Sequence, residues 1–313
     1  MNKSNDTKKK LLVGMGTYNR PKMLAKTLEA LCAVDIPGDV EANLLVVDSE
    51  ESAAEVFSSF EAKLPFKTHY IGNQPRGIVM MRNGVLEKAL ELDVDLVGFM
   101  DDDILVSPDW ISRSLALMET YNADVIDGAV KRTLPEGTPG WVSRGGFFRW
   151  HSAPTGSVRQ SGSTSNIFFK AKLIKEWGLR FDPFFNFSGG EDTFFFSQAH
   201  KKGAKIVWNN EILVTEQIGD AKITTQWILQ RAYRRTNAKF YRRSKEIGYR
   251  KAAFLYSFNA VFLLLIGTLL LLLTFFLGPI AWIHSLRFIK KGIGYFQGIF
   301  GNLYEEYREV VGD

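Results

Sequence analysis

Short runs of apolar residues alternate along most of the chain with segments in which apolar residues recur every three or four positions. The short runs predict buried strands, and the spaced positions predict helices that cover a sheet. Strands are expected from residue 11 onward and over 44–48, 68–71, 95–100, 123–131, 165–170, 204–208 and 212–215. Helices are expected over 23–31, 77–92, 110–121, 173–177 and 193–202. Strands and helices that alternate at this spacing are typical of a parallel sheet with right-handed crossovers.

The pattern changes near the C-terminus, where residues 259–277 include no charged residue and are rich in Leu, Ile, Val and Phe. As a helix, about 20 such residues span a bilayer core of about 30 Å, so a membrane segment is expected. The alternative is a buried helix of a soluble domain. Beyond Gly278-Pro279, the charges of Arg287, Lys290 and Lys291 interrupt the apolar pattern. That mixture favours an interfacial helix or the return arm of a shallow hairpin.

The net charge of +5 is unevenly distributed along the chain. Residues 231–251 carry nine basic residues and one acidic residue, a patch that suits either nucleic acid or an anionic membrane. The uncharged segment that follows favours the membrane over nucleic acid, and the positive-inside rule predicts a cytoplasmic location for the patch. Residues 1–10 are polar and basic without an apolar core, unlike a signal peptide, so the rest of the domain is also expected in the cytoplasm.

The composition is that of an ordinary globular protein. Among 313 residues, 46% are apolar and 23% are charged, which gives room for one large domain and an appendage. The single cysteine, Cys32, excludes an internal disulfide framework.

An apolar strand over residues 96–100 runs directly into three consecutive carboxylates, Asp101, Asp102 and Asp103. Ligands of open α/β sheets bind beyond the carboxyl ends of strands, and three adjacent carboxylates repel one another unless a cation lies between them. Mg²⁺ or Mn²⁺ suits such a place, because each takes oxygen ligands and leaves positions free for substrate phosphates. The alternative is a solvated acidic turn that caps the next helix, since Ser107-Pro108-Asp109 follows closely.

Several motifs follow one another in a recognisable order. They are Thr17-Tyr18-Asn19-Arg20-Pro21 after the first strand, Asp48 at the end of the second, Arg82-Asn83 in a helix, Asp101-Asp102-Asp103, and Gly190-Glu191-Asp192. In this order the chain resembles glycosyltransferase family 2, and most of all its bacterial exopolysaccharide enzymes of the succinoglycan-glucosyltransferase type. The resemblance extends over about residues 10–300. It implies an α/β protein of GT-A fold, with a Rossmann-like, mostly parallel sheet flanked by helices and a C-terminal membrane-associated helical segment.

The residue patterns and the resemblance together divide the chain into four parts. A disordered basic N-terminus is expected over 1–10, and the GT-A catalytic domain over 11–225. A basic amphipathic linker helix at the membrane surface is expected over 226–256. It is followed by a transmembrane or re-entrant hairpin and an interfacial helix over 257–313.

The resemblance also implies a role for each motif. Asp103, with Asp101 beside it, would hold Mn²⁺ or Mg²⁺, and Asp192 would be the base that deprotonates the acceptor hydroxyl in an inverting transfer. The residues that would bind the nucleotide sugar are Thr17, Asn19, Arg20, Asp48, Arg82, Asp101, Asp102 and Glu191. Without the resemblance, Glu191-Asp192 is equally a pattern that caps the start of a helix.

The implied reaction moves one sugar from a nucleotide diphosphate sugar, expected to be a UDP-hexose, to a hydroxyl of a polyprenyl-diphosphate-linked oligosaccharide in cell-surface polysaccharide synthesis. Single transfer is expected because the Gln-x-x-Arg-Trp motif of processive relatives does not read through over residues 226–231. The enzyme would lie at the bacterial inner membrane with its catalytic domain in the cytoplasm. Its partners would be the sugar donor, the lipid-linked glycan and membrane lipids, without nucleic acid. The alternatives are a polyprenyl-phosphate sugar synthase and a non-catalytic, membrane-tethered nucleotide-binding module.

Two further features leave alternatives open. Aromatic residues on both sides of Asp192 suit either an acceptor-sugar site or ordinary packing. They are Trp141, Phe147, Phe148, Trp150, Phe184, Phe185 and Phe187. Glu216 is expected either to supply an oxygen ligand or to pair with Arg231 or Arg234.

Overall fold

The computed structural model of the chain describes residues 8–149 and 153–308. Residues 1–7 of the predicted N-terminal segment and Trp150 of the aromatic set lie outside the described residues. Within the described residues, nine strands form one sheet. They are β1 (Lys9–Thr17), β2 (Val40–Asp48), β3 (Lys67–Ile71), β4 (Leu96–Met100), β5 (Ile104–Leu105), β6 (Val125–Thr133), β7 (Val158–Arg159), β8 (Asn166–Lys170) and β9 (Ile206–Gln217).

Hydrogen bonding orders the strands as β3-β2-β1-β4-β8-β6-β9-β5, and β7 also pairs with β9. The first four strands of this order are parallel, as the sequence pattern predicts. β8 then enters antiparallel between β4 and β6, and β5 and β7 pair antiparallel with β9. The predicted α/β class is therefore confirmed, with a sheet that is mixed rather than uniformly parallel.

Strand direction decides which residues lie at the edge of the sheet where a ligand would bind. β1, β2, β4, β6 and β9 all run toward one edge, so their carboxyl ends meet there. Because β8 runs the other way, its amino end and the preceding Ser165 lie at the same edge. An antiparallel strand therefore brings to this edge a hydroxyl that an all-parallel sheet would place at the opposite one.

Helices cover both faces of the sheet. They are α1 (Pro21–Leu31), α2 (Ala54–Phe60), α3 (Ile78–Glu91), α4 (Trp110–Thr120), α5 (Gly140–Arg144), α6 (Lys172–Lys175) and α7 (Glu191–Lys201). One core cluster packs α3 and α7 against one face, and another packs α1, α2 and α4 against the other. The packing of α3 on β1 requires glycine, because a Cβ at Gly14 would lie 2.2 Å from Val85 Cγ1.

Two regions differ from the predicted elements. The segments 204–208 and 212–215 belong to one strand, β9, whose pairing with β6 shifts register between Gly128 and Val130. Polar residues 209–211 lie between the two predicted strands. They stay in β9, where Asn209 Oδ1 accepts a hydrogen bond from the backbone N–H of Glu211 at 2.7 Å. Between the strands predicted over 123–131 and 165–170, the described residues include α5 and β7, which the sequence pattern does not predict.

Three long helices follow the sheet: α8 (Thr225–Ile247), α9 (Tyr249–Leu277) and α10 (Pro279–Ile299). The chain turns between α8 and α9 at Gly248, so the predicted boundary at residue 256 falls inside α9. Among the described residues, one helical stretch, Tyr249–Thr274, is long and apolar enough to cross a membrane. Only 11% of its most apolar part is buried. This exposure argues against the alternative of a core helix.

α10 reverses at Gly278-Pro279 and packs along both α9 and α8. A Cβ at Gly292 would lie 2.9 Å from the carbonyl oxygen of Ala260, and one at Gly294 would lie 2.3 Å from that of Tyr233. Glycine at these two positions lets α10 approach the backbones of both neighbouring helices. α9 and α10 therefore form an antiparallel helical pair, and both alternatives for residues 280–300, an interfacial helix and the return arm of a membrane hairpin, stay predictions.

Candidate active site

A cavity of about 370 Å³ opens at the edge of the sheet where β1 and β4 end. The predicted site residues in its lining are Arg20, Arg82, Asp101, Asp102, Asp103, Glu191 and Asp192. The carboxylates that follow β4 and those that begin α7 therefore face a common space, although they are far apart in the sequence. Thr17, Asn19 and Asp48 are not part of this lining.

Asp102, in the middle of the acidic triplet, is held by the protein itself. Its side chain is buried, with Oδ2 accepting a hydrogen bond from Thr17 Oγ1 at 2.8 Å and Oδ1 lying 3.5 Å from Arg20 Nη1. Its carbonyl oxygen accepts a hydrogen bond from Thr27 Oγ1 at 2.8 Å. These contacts tie the triplet to β1 and α1, so this carboxylate contributes to the shape of the site.

Asp101 and Asp103 present the other two carboxylates to the cavity. Asp101 Oδ2 accepts a hydrogen bond from Ser165 Oγ at 2.5 Å. Asp103 Oδ2 lies 3.5 Å from Lys222 Nζ. Burial and then the negative charge of Asp102 raise the pKa of Asp103 to about 7, which the lysine only partly offsets. A carboxylate in this situation is stabilised when further positive charge arrives.

Arg82 and Glu191 form a buried ion pair between Nη1 and Oε1. They are 8% and 2% exposed, and Arg82 Nη2 also lies 3.5 Å from Asp101 Oδ1. Breaking a buried pair of this kind costs about 3–5 kcal/mol, because it leaves an uncompensated charge. The pair therefore joins the start of α7 to α3 and aims Arg82 at the acidic triplet.

Asp192 lies in the first turn of α7, after two glycines in left-handed conformations, Gly189 (φ +76°) and Gly190 (φ +91°). Its Oδ1 accepts hydrogen bonds from the backbone N–H of Thr193 at 2.5 Å and from Thr193 Oγ1 at 3.1 Å. Its Oδ2 has no hydrogen-bond partner among the described residues. One oxygen is thus oriented by the helix start, and the other is available to a ligand in the cavity.

The three predicted residues outside the lining have other surroundings. Asp48 is fully buried, and its Oδ2 accepts hydrogen bonds from the backbone N–H of Ala53 and the hydroxyl of Tyr70, each at 2.9 Å. Thr17 is buried against Asp102, and Asn19 is exposed with φ +50°. A contact between Asp48 and a nucleobase would need the loop after β2 to rearrange, so that role stays a prediction.

The lining also includes cationic and aromatic residues that the sequence pattern does not mark as part of a site. They are Arg132, Lys222, Trp227, Arg231, Arg234 and Tyr307. The expected pairing of Glu216 with Arg231 or Arg234 is wrong, because Glu216 lies 2.7 Å from Arg132 and 3.3 Å from Lys222. Burial opposes ionisation of Glu216, but these two charges outweigh it and lower its pKa.

Arg231 has a different environment from Arg132. Its guanidinium lies 5.0 Å from the centre of the Trp227 ring, and no carboxylate in the described part of the chain is within ion-pair distance. Burial, followed by repulsion from Arg235, Arg132 and Arg234, lowers the pKa of Arg231 to about 9. Several like charges gathered at one wall of a cavity favour an anionic ligand. The helical spacing of 231, 234 and 235 is the sequence signal that could have found this cluster.

Three of the predicted aromatic residues on the two sides of Asp192 match ordinary packing rather than an acceptor-sugar site. Phe147, Phe148 and Phe185 are buried. Phe148 stacks on Trp227 with centroids 5.7 Å apart, which joins the loop after β6 to α8. Packing accounts for these three, and Trp227, which is not one of the predicted aromatic residues, lines the cavity.

The donor set at the triplet can be tested for a divalent cation. Within residues 8–149 and 153–308, no three His, Cys, Asp or Glu side chains are arranged to hold a metal ion by themselves. Mg²⁺ is typically bound through one or two carboxylates plus substrate phosphates. Asp101 and Asp103 supply two carboxylates at the cavity, so the residues fit a cation that binds together with a diphosphate.

Comparison with known proteins identifies relatives of this chain. The model of the family "Glycosyl transferase family 2" matches residues 12–183. The succinoglycan biosynthesis protein ExoM of Rhizobium meliloti (strain 1021) is 31% identical over 228 residues, which cover 71% of this chain and 71% of ExoM.

Solved structures show the same fold at lower identity. The mannosyltransferase PcManGT from Pyrobaculum calidifontis, in complex with GDP-Man and Mn²⁺, has a TM-score of 0.60 and 14% identity, covering 93% of this chain and 87% of PcManGT. S. aureus TarS 1–349 in complex with UDP-GlcNAc has a TM-score of 0.52 and 14% identity, covering 93% of this chain and 92% of that fragment. The match to a longer TarS chain covers 39% of it. These likenesses establish the GT-A-like fold.

The family match covers β1 to the turn before α7 and includes the acidic triplet, whereas Asp192 and the three long helices lie beyond it. It nevertheless spans more than half of the chain, and ExoM extends the similarity at 31% identity. The chain belongs to glycosyl transferase family 2.

Proposed function

We propose that this chain is an inverting glycosyltransferase that moves one hexose from a UDP-sugar to a hydroxyl of a polyprenyl-diphosphate-linked oligosaccharide. The observation that carries the proposal is the presence of Asp101, Asp103 and Asp192 in the lining of one cavity. Such a reaction needs positive charge where the diphosphate departs and a base where the acceptor arrives. The nucleotide sugars in the PcManGT and TarS complexes support a donor of this class.

On the donor side, Asp103 and Asp101 would hold Mn²⁺ or Mg²⁺ together with the diphosphate. When bound, the cation supplies Lewis-acid stabilisation of the negative charge on the leaving group. Arg82, fixed by its buried pair with Glu191, adds a cation next to Asp101. Lys222 adds another beside Asp103.

On the acceptor side, Asp192 Oδ2 takes the proton of the attacking hydroxyl. The acceptor oxygen forms a bond to the anomeric carbon as the bond from that carbon to the diphosphate oxygen breaks. Attack from the face opposite the leaving group inverts the configuration at the anomeric carbon. The hydrogen bonds from Thr193 to Oδ1 keep Oδ2 directed at the cavity during the transfer.

The helices after the sheet support a lipid-linked acceptor and a membrane location. Phe258, Leu265 and Leu272 of α9 are 63%, 66% and 73% exposed, which suits contact with lipid. The exposed basic residues at the start of α9, Arg250 and Lys251, would face the headgroups at about 1 kcal/mol each. With ExoM named for succinoglycan biosynthesis, we assign this chain to polysaccharide synthesis at the cytoplasmic face of a bacterial inner membrane.

The decisive experiment measures UDP release and product formation by the full chain in detergent. The donors are UDP-glucose, UDP-galactose and UDP-GlcNAc with Mn²⁺, and the acceptors are farnesyl-diphosphate-linked sugars. Asp192→Asn is expected to lower transfer by about 10²- to 10⁴-fold, because the carboxamide cannot take the hydroxyl proton. Asp39→Asn, an exposed position at the opposite edge of the sheet, is the matched control and should retain full activity.

The same assay separates the alternatives. A polyprenyl-phosphate acceptor is already ionised and needs no base, so Asp192→Asn with nearly full activity would identify a polyprenyl-phosphate sugar synthase. Absence of turnover with every donor, together with retained nucleotide binding, would identify a non-catalytic module.

A further inference from the structure

Residues beyond α8 also contact the catalytic domain. After α10 it turns back and crosses the side of the cavity that contains Asp192. We call residues 302–308 the return segment. Its path, its attachment and its position in the cavity together indicate a role in the transfer.

The return segment is attached to α8 by one buried side chain, that of Asn237. Its Nδ2 donates hydrogen bonds to the carbonyl oxygens of Gly294 at 3.2 Å and Asn302 at 2.9 Å, and its Oδ1 accepts the backbone N–H of Tyr304 at 2.9 Å. The Tyr304 ring also lies edge-on to Tyr233, with centroids 5.5 Å apart. The direction in which the chain leaves the membrane helices is therefore fixed by polar contacts within the protein.

Beyond this attachment, the return segment is bound to the loop that precedes Asp192. The backbone N–H of Tyr307 donates a hydrogen bond to the carbonyl oxygen of Phe187 at 2.9 Å. The guanidinium of Arg308 lies 5.3 Å from the centre of the Phe187 ring. Glu306 forms an ion pair with Arg234 of α8. The segment thus joins α8 to the loop that positions Asp192.

These contacts place the ring of Tyr307 in the cavity wall. Its Cε2 would lie 3.3 Å from a Cβ at Gly189, three residues before Asp192. Burial raises the pKa of Tyr307, and the charges that act on its hydroxyl include those of Arg82 and Asp101. The hydroxyl therefore remains protonated at neutral pH and can donate a hydrogen bond within the cavity.

The position suits the acceptor rather than the donor nucleotide. Thr17, Arg20 and Asp102, which the resemblance assigns to the nucleotide, contact one another at the ends of β1 and β4. Tyr307 contacts the loop before Asp192. It also follows α10 closely in the chain, next to the helices that would lie at the membrane with the lipid-linked substrate. An aromatic ring with a hydroxyl at its tip offers a sugar both an apolar face and a hydrogen-bond donor.

We propose that the return segment forms one wall of the acceptor-sugar site, with Tyr307 as the side chain that contacts the acceptor sugar. This inference rests on the proposed function. It makes the acceptor site complete only when the chain beyond the membrane helices is folded against the catalytic domain.

The test compares full-length variants in detergent with a UDP-sugar donor, Mn²⁺ and farnesyl-diphosphate-linked glucose, galactose or GlcNAc. Tyr307→Ala is expected to raise the KM for the acceptor by about tenfold and the KM for the donor by much less. Tyr307→Phe keeps the ring and should show a smaller increase. Asp39→Asn, exposed at the opposite edge of the sheet, is the control and should leave both KM values unchanged.

The possible results separate the proposal from its competitors. An unchanged KM for the acceptor in Tyr307→Ala would overturn it, and a faster transfer would identify a plug that blocks the site instead of a wall. A rise in the KM for the donor alone would assign Tyr307 to the nucleotide sugar. If the wild-type chain transfers no sugar to any of these acceptors, the proposed function itself fails, which is a different result from a failure confined to the variants.

Discussion

The two sides of the cavity are held in different ways. At the ends of β1 and β4, carboxylates have partners inside the protein, as Asp102 has in Thr17 and Asp101 has in Ser165. Along α8, Arg231 has no carboxylate within ion-pair distance in the described residues and faces other arginines. Asp101 and Asp102 are oriented before a ligand binds, whereas the charge of Arg231 has no counter-ion in the described residues.

This difference indicates how the site divides its work. Groups fixed by internal hydrogen bonds need no reorganisation when charge develops on a leaving group, which is the condition for electrostatic catalysis. A cationic wall without counter-ions gains most when an anionic substrate binds. The family model covers the first side and ends before α8.

The largest expected effect concerns the carboxylates of the first side. Asp103→Ala should lower turnover by about 10³-fold, and removal of divalent cations with EDTA should do the same, because the leaving diphosphate then loses its positive partner. Turnover is measured as UDP release, and Mn²⁺ should restore it to the wild-type chain but not to the variant.

Asp102→Asn provides the contrast within the triplet. Because Asp102 bonds to Thr17 and Arg20, its replacement should lower the free energy of unfolding by about 1–3 kcal/mol and reduce turnover far less than Asp103→Ala does. Equal losses of turnover in the two variants, without a difference in stability, would contradict the division of roles inside the triplet.

The next effect concerns the buried ion pair that joins α3 to the start of α7. Glu191→Gln should lower the free energy of unfolding by about 3–4 kcal/mol, because it removes the buried partner of Arg82 and leaves only the partly exposed Asp101, 3.5 Å away, as a carboxylate beside it. Urea unfolding measures the loss, and the double variant Arg82→Met/Glu191→Met should recover much of it. Arg113→Ala removes an exposed pair with Asp109 (2.7 Å) and should cost no more than about 0.5 kcal/mol. Similar losses at both pairs would show that the first pair is not set apart by burial.

The first side of the cavity could be predicted from the sequence because its residues lie at the ends of strands. An apolar run followed by polar residues marks the end of a strand, and the ends of parallel strands meet at one edge. Asp101, Asp102 and Asp103 were located in this way, and the α/β class followed from the same alternation. The antiparallel course of β8 was not foreseen, so the hydrogen bond from Ser165 to Asp101 was missed.

The second side depends on contacts between segments that are distant in the chain. The pairing of Glu216 with Arg132 results from the register between β6 and β9, which the sequence does not reveal. Likewise, nothing in the local pattern around Tyr307 indicates that α10 directs it back to the Asp192 loop. The basic residues of α8 were recognised, but their charge was assigned to the membrane and to a pair with Glu216, because a helical surface can serve a membrane and a cavity equally well.

The pH dependence of stability should distinguish two carboxylates near the start of β6, Asp127 and Asp124. Burial raises the pKa of Asp127 to about 7, from an ordinary value of 3.8, and the nearby Asp192 adds to the shift. The unfolded chain therefore loses this proton more readily, and stability decreases as pH rises from about 4 to about 7. Asp127→Asn should raise the free energy of unfolding by about 2 kcal/mol at pH 8 and leave it almost unchanged at pH 4, as measured by urea unfolding.

Asp124, just before the same strand, is the control with the opposite sign. Burial opposes its ionisation, but hydrogen bonds from Lys172 and from the backbone N–H of Lys205 lower its pKa. Its contribution is present above its ordinary pKa and disappears as pH falls through the lower value. Asp124→Asn should therefore destabilise the protein at pH 8, and a stabilised Asp124→Asn variant would contradict the assignment of these charges.

The smallest effect tests the comparison most directly, because it predicts opposite signs for two arginines of one cavity. Arg231→Gln removes a cation that faces other cations, so it should raise the free energy of unfolding by about 0.5–1 kcal/mol. Replacing a functional residue often stabilises a protein in this way. Arg132→Gln removes the partner of Glu216 and should lower it by about 1 kcal/mol. Inorganic pyrophosphate should raise the melting temperature of the wild-type chain and raise that of Arg231→Gln by less, since stabilisation by a ligand follows its affinity. If both variants lost stability and responded equally to pyrophosphate, the cationic wall would be an ordinary part of the folded structure, and the contrast between a prearranged side and an unbalanced side would disappear.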